Sequence, residues 1–137
     1  VDGYSALDVW PDVGGALDRL RRGEIRLAIL SNLSEDALWH NLRRNRIDHY
    51  FQFVLSTDRA RRFKPAPEAY SLGIRAFGSH PGEIGFAASA QWDAVGARRF
   101  GYRATWVNRA SLPAEEALGP SGSVSAGMEG VVLLAKA

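Results

Sequence analysis

The sequence contains no cysteine. That excludes a thiol nucleophile, a disulfide framework and any cysteine-ligated zinc or iron–sulfur centre. Lysine is nearly missing as well: of the 17 basic residues 15 are arginine, and only Lys64 and Lys136 carry an ammonium. The three histidines, His40, His49 and His80, show neither H-x-H nor H-x-x-x-H spacing, so no histidine metal centre is expected. Long apolar runs are absent too. The longest, Val131 to Ala135, is five residues, against the 18 or so that a membrane-spanning helix needs. No G-x-G-x-x-G or G-x-x-x-x-G-K follows a strand-like run, and there is no G-x-S-x-G elbow; dinucleotide, phosphate-loop and serine-hydrolase signatures are thus missing. The N-terminus, which opens at Val1, lacks a basic segment followed by an apolar one. The expected location is therefore the cytoplasm.

What is present describes one soluble domain. The 137 residues are 46% hydrophobic and 23% charged, with a net charge of +2, which is enough chain for a single core. Arginines cluster at Arg19, Arg21 and Arg22, at Arg43, Arg44 and Arg46, at Arg59, Arg61 and Arg62, and at Arg98 and Arg99. They are spread over four segments, interspersed with acids, and lack interleaved aromatics. They read as solvated faces, not as a nucleic-acid surface.

Along the chain, short apolar runs alternate with helical patterns. Val13, Ala16, Leu17 and Leu20 recur at helical spacing, with Pro11 before them and Gly23 after. Arg26–Leu30 is a short strand expected to be buried on both faces, ending in Ser31-Asn32. Ser34 has the chemistry to cap a helix running to about Arg46, with Glu35 and Asp36 in its positive first turn. Phe53–Leu55 is a second strand, Pro67–Phe77 a helix stopped by Gly78, Ile84–Ala88 a third strand, Trp92–Phe100 a helix stopped by Gly101, and Ala104–Val107 a fourth strand. A Pro/Gly/Ser-rich loop, Ser111–Ser123, precedes a terminal helix over Met128–Lys136. This alternation predicts an α/β fold built on a parallel sheet. Ligands of such sheets bind beyond the carboxyl ends of the strands, where this chain places Ser31-Asn32, Thr57-Asp58, Ala88-Ser89-Ala90 and Asn108-Arg109.

Lys64, in F-K-P-A-P-E-A-Y, stands out among these. A proline follows it and fixes the backbone just before a helix. A cation at a helix start opposes the dipole, so this lysine reads as a point charge placed beside a carboxylate. Asp93 opens a helix after the third strand, where a dipole-stabilised aspartate is the alternative. Ser31 and Asn32 taken alone are ordinary turn chemistry.

Together these residues resemble the haloacid dehalogenase superfamily and, within it, the type II (L-2-haloacid) dehalogenases. The resemblance rests on L-A-I-L-S-N, F-K-P-A-P-E-A-Y, W-D-A-V-G-A-R-R-F-G-Y and T-W-V-N-R, in order and in register from Asp8 to Arg109. It implies a Rossmann-like core with helices on both faces, an inserted helical cap, and a homodimer. It implies a small-molecule substrate, a 2-haloacid, and neither metal nor organic cofactor. The family's aspartate nucleophile displaces halide from C2 and forms an ester that water cleaves. By the same resemblance Lys64 balances the active-site carboxylates, and Asp93 positions Lys64 and the hydrolytic water. Ser31 and Asn32 hold the substrate carboxylate, Tyr70 orients the site, and Trp92 lines the pocket.

Two departures accompany it. Ala88 and Ala90 stand where the dehalogenase pattern has serine and asparagine, which points to altered specificity as an alternative. Ala88 also stands where related phosphatases carry a magnesium-binding aspartate, and a methyl group offers no hard oxygen ligand. The second departure is the nucleophile. Asp2 in V-D-G-Y-S-A-L superficially fits, but only Val1 precedes it, and a nucleophile needs a rigid strand. Residues 1–10 read instead as the end of the cap returning to a core over 11–137, with the first strand and nucleophile upstream of Val1. The expectation is a core portion that is inactive alone; a non-catalytic binding domain on the same fold is the alternative of a different class.

Overall fold

The computed structural model describes residues 7–136. Helix α1 (Val13–Arg22) buries Ala16, Leu17 and Leu20 and carries Arg19, Arg21 and Arg22 in its last turn, where cations complement the dipole. Strand β1 (Ala28–Ser31) leads to α2 (Glu35–Arg44), whose first turn is capped by Ser34 Oγ accepting from the Ala37 N–H. Strand β2 (Phe53–Ser56) is followed by a 3₁₀ turn over Thr57–Ala60 and by α3 (Pro67–Phe77). Pro67 sits in the first turn of α3, and Gly78 ends the helix in the left-handed region at φ 63°. Strand β3 (Gly85–Ala88), α4 (Gln91–Phe100) and β4 (Arg103–Val107) complete the alternation. A short β5 (Ser123–Ser125) and α5 (Glu129–Lys136) follow.

The expected α/β fold with parallel pairing is what forms, and every strand pair is parallel. The sheet, however, is in two pieces: β1 pairs with β2, and β3, β4 and β5 pair in that order. This explains why β1, expected to be buried on both faces, is only half-buried at all four positions. It has a neighbour on one edge only. β3 behaves alike, with Gly85 and Ala87 exposed, whereas β4 buries four of its five residues between neighbours. Between the pieces lies a cavity of about 550 Å³, lined by Ala28, Ile29 and Leu30 of β1 and Gly85, Phe86 and Ala87 of β3.

The buried residues do not form one mass, as the length had implied. Tyr70, Ala97, Tyr102 and Ala104 pack under Leu30 and Phe86. Ala16 and Leu20 of α1 pack on Val132 of α5. Leu38 and Leu42 of α2 cover Val54 of β2, and Ala88, Ala94 and Trp106 form a further group. The loop expected over Ser111–Ser123 contains a 3₁₀ turn at Glu116–Leu118 and runs into β5, whose register pairs Thr105 with Ser123.

Residues 7–10 carry neither helix nor strand. They run along α2, where the Leu7 N–H donates to Asn41 Oδ1 at 2.8 Å and Asn45 Nδ2 donates to Leu7 O at 2.7 Å. Asp2 and most of the segment read as a returning cap lie outside the described residues. Immediately afterwards Asp12 ties three distant parts together. Its carboxylate accepts from both terminal nitrogens of Arg109, at 2.8 and 3.1 Å, and from the Met128 N–H at 2.9 Å. Arg109 in turn lies over the Trp10 ring, 4.9 Å from its centroid.

Candidate functional site

Polar residues that follow β1 and β2 and the first turn of α4 meet around Lys64. The Lys64–Pro65 peptide bond is cis. The Lys64 N–H donates to Asn32 Oδ1 at 3.0 Å, and Thr57 Oγ1 donates to the same oxygen at 3.1 Å. One amide oxygen thus ties the end of β1 to the ends of β2 and of the lysine loop. Asn32 is exposed, and with its oxygen occupied it offers Nδ2 as its open donor. Ser31 Oγ accepts from the Leu33 N–H at 3.1 Å; its own proton is free to be given elsewhere.

The Lys64 ammonium donates to Asp93 Oδ2 at 2.6 Å and to the Leu30 carbonyl at 3.3 Å, and lies 5.6 Å from the centre of the Phe86 ring. Both side chains of the ion pair are only 10% exposed. Burying charges this far is costly unless the remaining lone pairs and protons are satisfied. They are largely satisfied here. Asp93 Oδ1 accepts from Tyr70 Oη at 2.7 Å, and Asp93 occupies the first turn of α4, where the helix dipole favours a carboxylate. An ammonium has three donors, and two of those of Lys64 are engaged.

Tyr70 is completely buried. Burial, and then the hydrogen bond to Asp93, push its hydroxyl well above the ordinary tyrosine range. Tyr102 Oη donates to the Tyr70 carbonyl, and burial raises the Tyr102 hydroxyl to about 12. Two glycines admit these rings. A Cβ on Gly96 would lie 2.6 Å from Tyr70 Oη and 2.9 Å from Pro65 Cβ, and one on Gly73 would lie 2.5 Å from Tyr102 Oη.

The structure therefore brings Lys64, Asp93 and Tyr70 into direct contact, with Asn32 holding the backbone of Lys64 and Ser31 beside it. Trp92 adjoins Asp93 in sequence but is 42% exposed and belongs to none of the buried groups. Ala88 is buried, and Ala90 is the N-cap of α4 with no side-chain hydrogen bond. Three participants escaped sequence reasoning. Tyr102 closes the W-D-A-V-G-A-R-R-F-G-Y run, but nothing in its spacing marks it as a partner of Tyr70. The Leu30 carbonyl is backbone, and the tether from Asn32 to Lys64 spans 32 residues. Among the described residues no group of three or more His, Asp or Glu could hold a metal ion. The array is suited to holding a fixed cation and an oriented carboxylate beside an anionic ligand at the strand ends.

Residues 4–107 match the family model of haloacid dehalogenase-like hydrolases. Haloacetate dehalogenase H-2 of Moraxella sp. (strain B) is 41% identical over 113 residues, covering 82% of this chain and 50% of the relative. (S)-2-Haloacid dehalogenase 2 of Pseudomonas sp. (strain CBS-3) is 37% identical over 106 residues, covering 77% and 46%. The chain thus spans about half the length of the curated relatives it matches. The crystal structure of the L-2-haloacid dehalogenase RSc1362 superposes with a TM-score of 0.93 at 34% identity, over 99% of this chain and 60% of that one. The L-2-haloacid dehalogenase from Xanthobacter autotrophicus superposes with a TM-score of 0.87 at 26% identity, over 98% and 64%.

Proposed function

The chain belongs to the haloacid dehalogenase-like hydrolases, and from that membership we propose that it forms part of an enzyme hydrolysing the carbon–halogen bond of 2-haloalkanoic acids. The observation that carries this reading is the buried array of Lys64, Asp93 and Tyr70 at the carboxyl ends of β1 and β3. An aspartate supplied by a segment outside this chain attacks C2 of the substrate and expels halide, forming an ester. Water then adds to the ester carbonyl, releasing the 2-hydroxy acid and regenerating the aspartate. Both steps place anions together, and the ammonium of Lys64 offsets their repulsion. Asp93 holds Lys64 and orients the water, and Tyr70 orients Asp93. The Ser31 hydroxyl and Asn32 Nδ2 donate to the substrate carboxylate, and Trp92 lines the pocket. The reaction requires no metal and no organic cofactor. The whole enzyme on this reading is a cytoplasmic homodimer with no nucleic-acid partner, and no helix of the described residues is long and apolar enough to cross a membrane.

Halide release tests the reading. The amino-terminal half of the Moraxella relative, fused ahead of this chain, should release chloride from chloroacetate or (S)-2-chloropropionate. Lys64→Met or Asp93→Asn in the fusion should lower kcat by at least a hundredfold, while the 137-residue chain alone should release none. A folded fusion that releases no halide from either acid would sink the proposal. A second reading, altered specificity within the family, is favoured by Ala88 and Ala90. If it is right, Ala88→Ser with Ala90→Asn in the same fusion will leave halide release from these two acids unimproved.

A further inference from the structure

Tyr102 is a buried residue that the reaction outlined above does not use, and its hydroxyl lands on the scaffold of the site. It is 3% exposed and lies just past the end of α4. Tyr70, on α3, is held at both ends. Its Oη donates to Asp93 Oδ1 at 2.7 Å and lies 3.1 Å from the Asp93 carbonyl, while its own carbonyl accepts from Tyr102 Oη. In a regular helix that carbonyl accepts from the N–H four residues on, here that of Ile74. The Ile74 N–H also acts on the Tyr102 oxygen, opposing the rise that burial causes. The Tyr102 hydroxyl therefore occupies the rung of α3 that joins Tyr70 to Ile74. It fits because position 73 is glycine: a Cβ there would lie 2.5 Å from Tyr102 Oη but 3.4 Å from Cζ, so only the hydroxyl needs the missing side chain. The Tyr102 ring reaches the other half of the ion pair. It stacks on Phe86 with the planes 5° and the centroids 5.7 Å apart, and the Lys64 ammonium lies 5.6 Å from the centre of that same Phe86 ring.

We propose that Tyr102 is a positioning residue, which sets the geometry of the Lys64–Asp93 pair through Tyr70 on one side and Phe86 on the other. Its importance to the reaction rests on the functional reading above; the placement of its hydroxyl does not. The contact from Lys64 Nζ to Asp93 Oδ2, at 2.6 Å, is a charge-assisted hydrogen bond, strong only while donor and acceptor stay aligned. Without the Tyr102 hydroxyl the Tyr70 carbonyl keeps Ile74 as its one partner. The turn of α3 then closes, and Tyr70 shifts the carboxylate it holds out of line with the ammonium. A reacting array is sensitive to such a displacement even when every residue in it is still present.

The near absence of lysine makes the test direct. In the intact chain, isotope-labelled lysine gives ammonium signals from Lys64 and Lys136 only, and Lys136→Arg assigns them. Tyr102→Phe, which keeps the ring, should speed hydrogen exchange of the Lys64 ammonium about fivefold or more. Val132→Ala loosens the separate packing of α1 on α5 and should leave that exchange unchanged, which a general loss of stability would not. Adding Gly73→Ser to Tyr102→Phe should restore slow exchange, because a serine hydroxyl bonds back to the carbonyl three or four residues earlier, and three earlier is Tyr70. Adding Gly73→Ala instead fills the same space without a hydroxyl and should not restore it. Gly73→Ala in the otherwise unchanged chain displaces the Tyr102 hydroxyl and should also speed exchange, so the test does not depend on the folding of Tyr102→Phe. Unchanged exchange in both single variants, an equal response to Val132→Ala, or rescue by alanine as good as that by serine would overturn the proposal. In the fused enzyme Tyr102→Phe should lower kcat about tenfold with KM nearly constant, and an active fusion indifferent to it would overturn the role in the reaction. A fusion inactive before Tyr102 is changed counts against the dehalogenase reading and leaves the exchange result standing.

Discussion

Lys64 and Asp93 stabilise each other only as a pair. Each is nine-tenths withdrawn from water, so removing one leaves a buried charge without its counterion, a loss of about 3 kcal/mol or more. Lys64→Met should therefore lower the urea midpoint markedly. Adding Asp93→Leu to it should recover part of the loss, since an apolar pair needs no counterion. The buried tyrosines make stability depend on pH. Both hydroxyls titrate above the ordinary value of 10.0 in the fold, so the unfolded chain loses these protons first. Their contribution is complete below pH 10 and declines as pH rises past it, by about 1.4 kcal/mol per pH unit for each tyrosine. Denaturation between pH 10 and 11.5 should show this slope, and Tyr102→Phe should roughly halve it.

At the level of elements, α4 begins with a defect. Ala90 offers its first turn no side-chain acceptor, whereas Ser34 caps α2. Ala90→Asn should stabilise the chain by about 1 kcal/mol, visible as a rise of a few degrees in the melting temperature. Elements set by neighbouring residues were legible in the sequence. Pro67–Phe77 was bounded correctly because a proline start and a glycine stop are local signals. β5 was not, because Ser-Val-Ser has no periodicity and becomes a strand only by lying against β4. The exposure of β1 was equally hidden, since an edge is a property of what lies beside a strand. In the site, Lys64 was marked by the scarcity of lysine, and Asp93 and Tyr70 by resemblance. That all three touch is a fact of folding across 29 and 23 residues that no spacing rule contains.

For the molecule as a whole, long-range ties matter more than any one helix. The Asp12 clasp joins positions 97 and 116 residues away in the chain. The guanidinium of Arg109, and next the Met128 N–H, hold the Asp12 carboxyl below its usual 3.8. A depressed carboxyl contributes stability above its unfolded value and loses it as pH falls through the folded one. Stability curves of the wild-type chain and Asp12→Asn should therefore be separate at pH 7 and converge only as pH falls well below 3.8. Curves that stay parallel into acid would show that the clasp does not depend on the charge of Asp12.

The same clasp bears on where the polypeptide needs to be continuous. It sets the start of α1 beside the start of α5, and the two helices pack through Ala16, Leu20 and Val132. α5 is eight residues long, so its far end lies only about 12 Å beyond the clasp. A linker of a few residues could bridge from there back to α1, and new termini could open in the exposed loop before Glu116. Such a circular permutant should fold, because the clasp already holds together what the peptide bonds would then join.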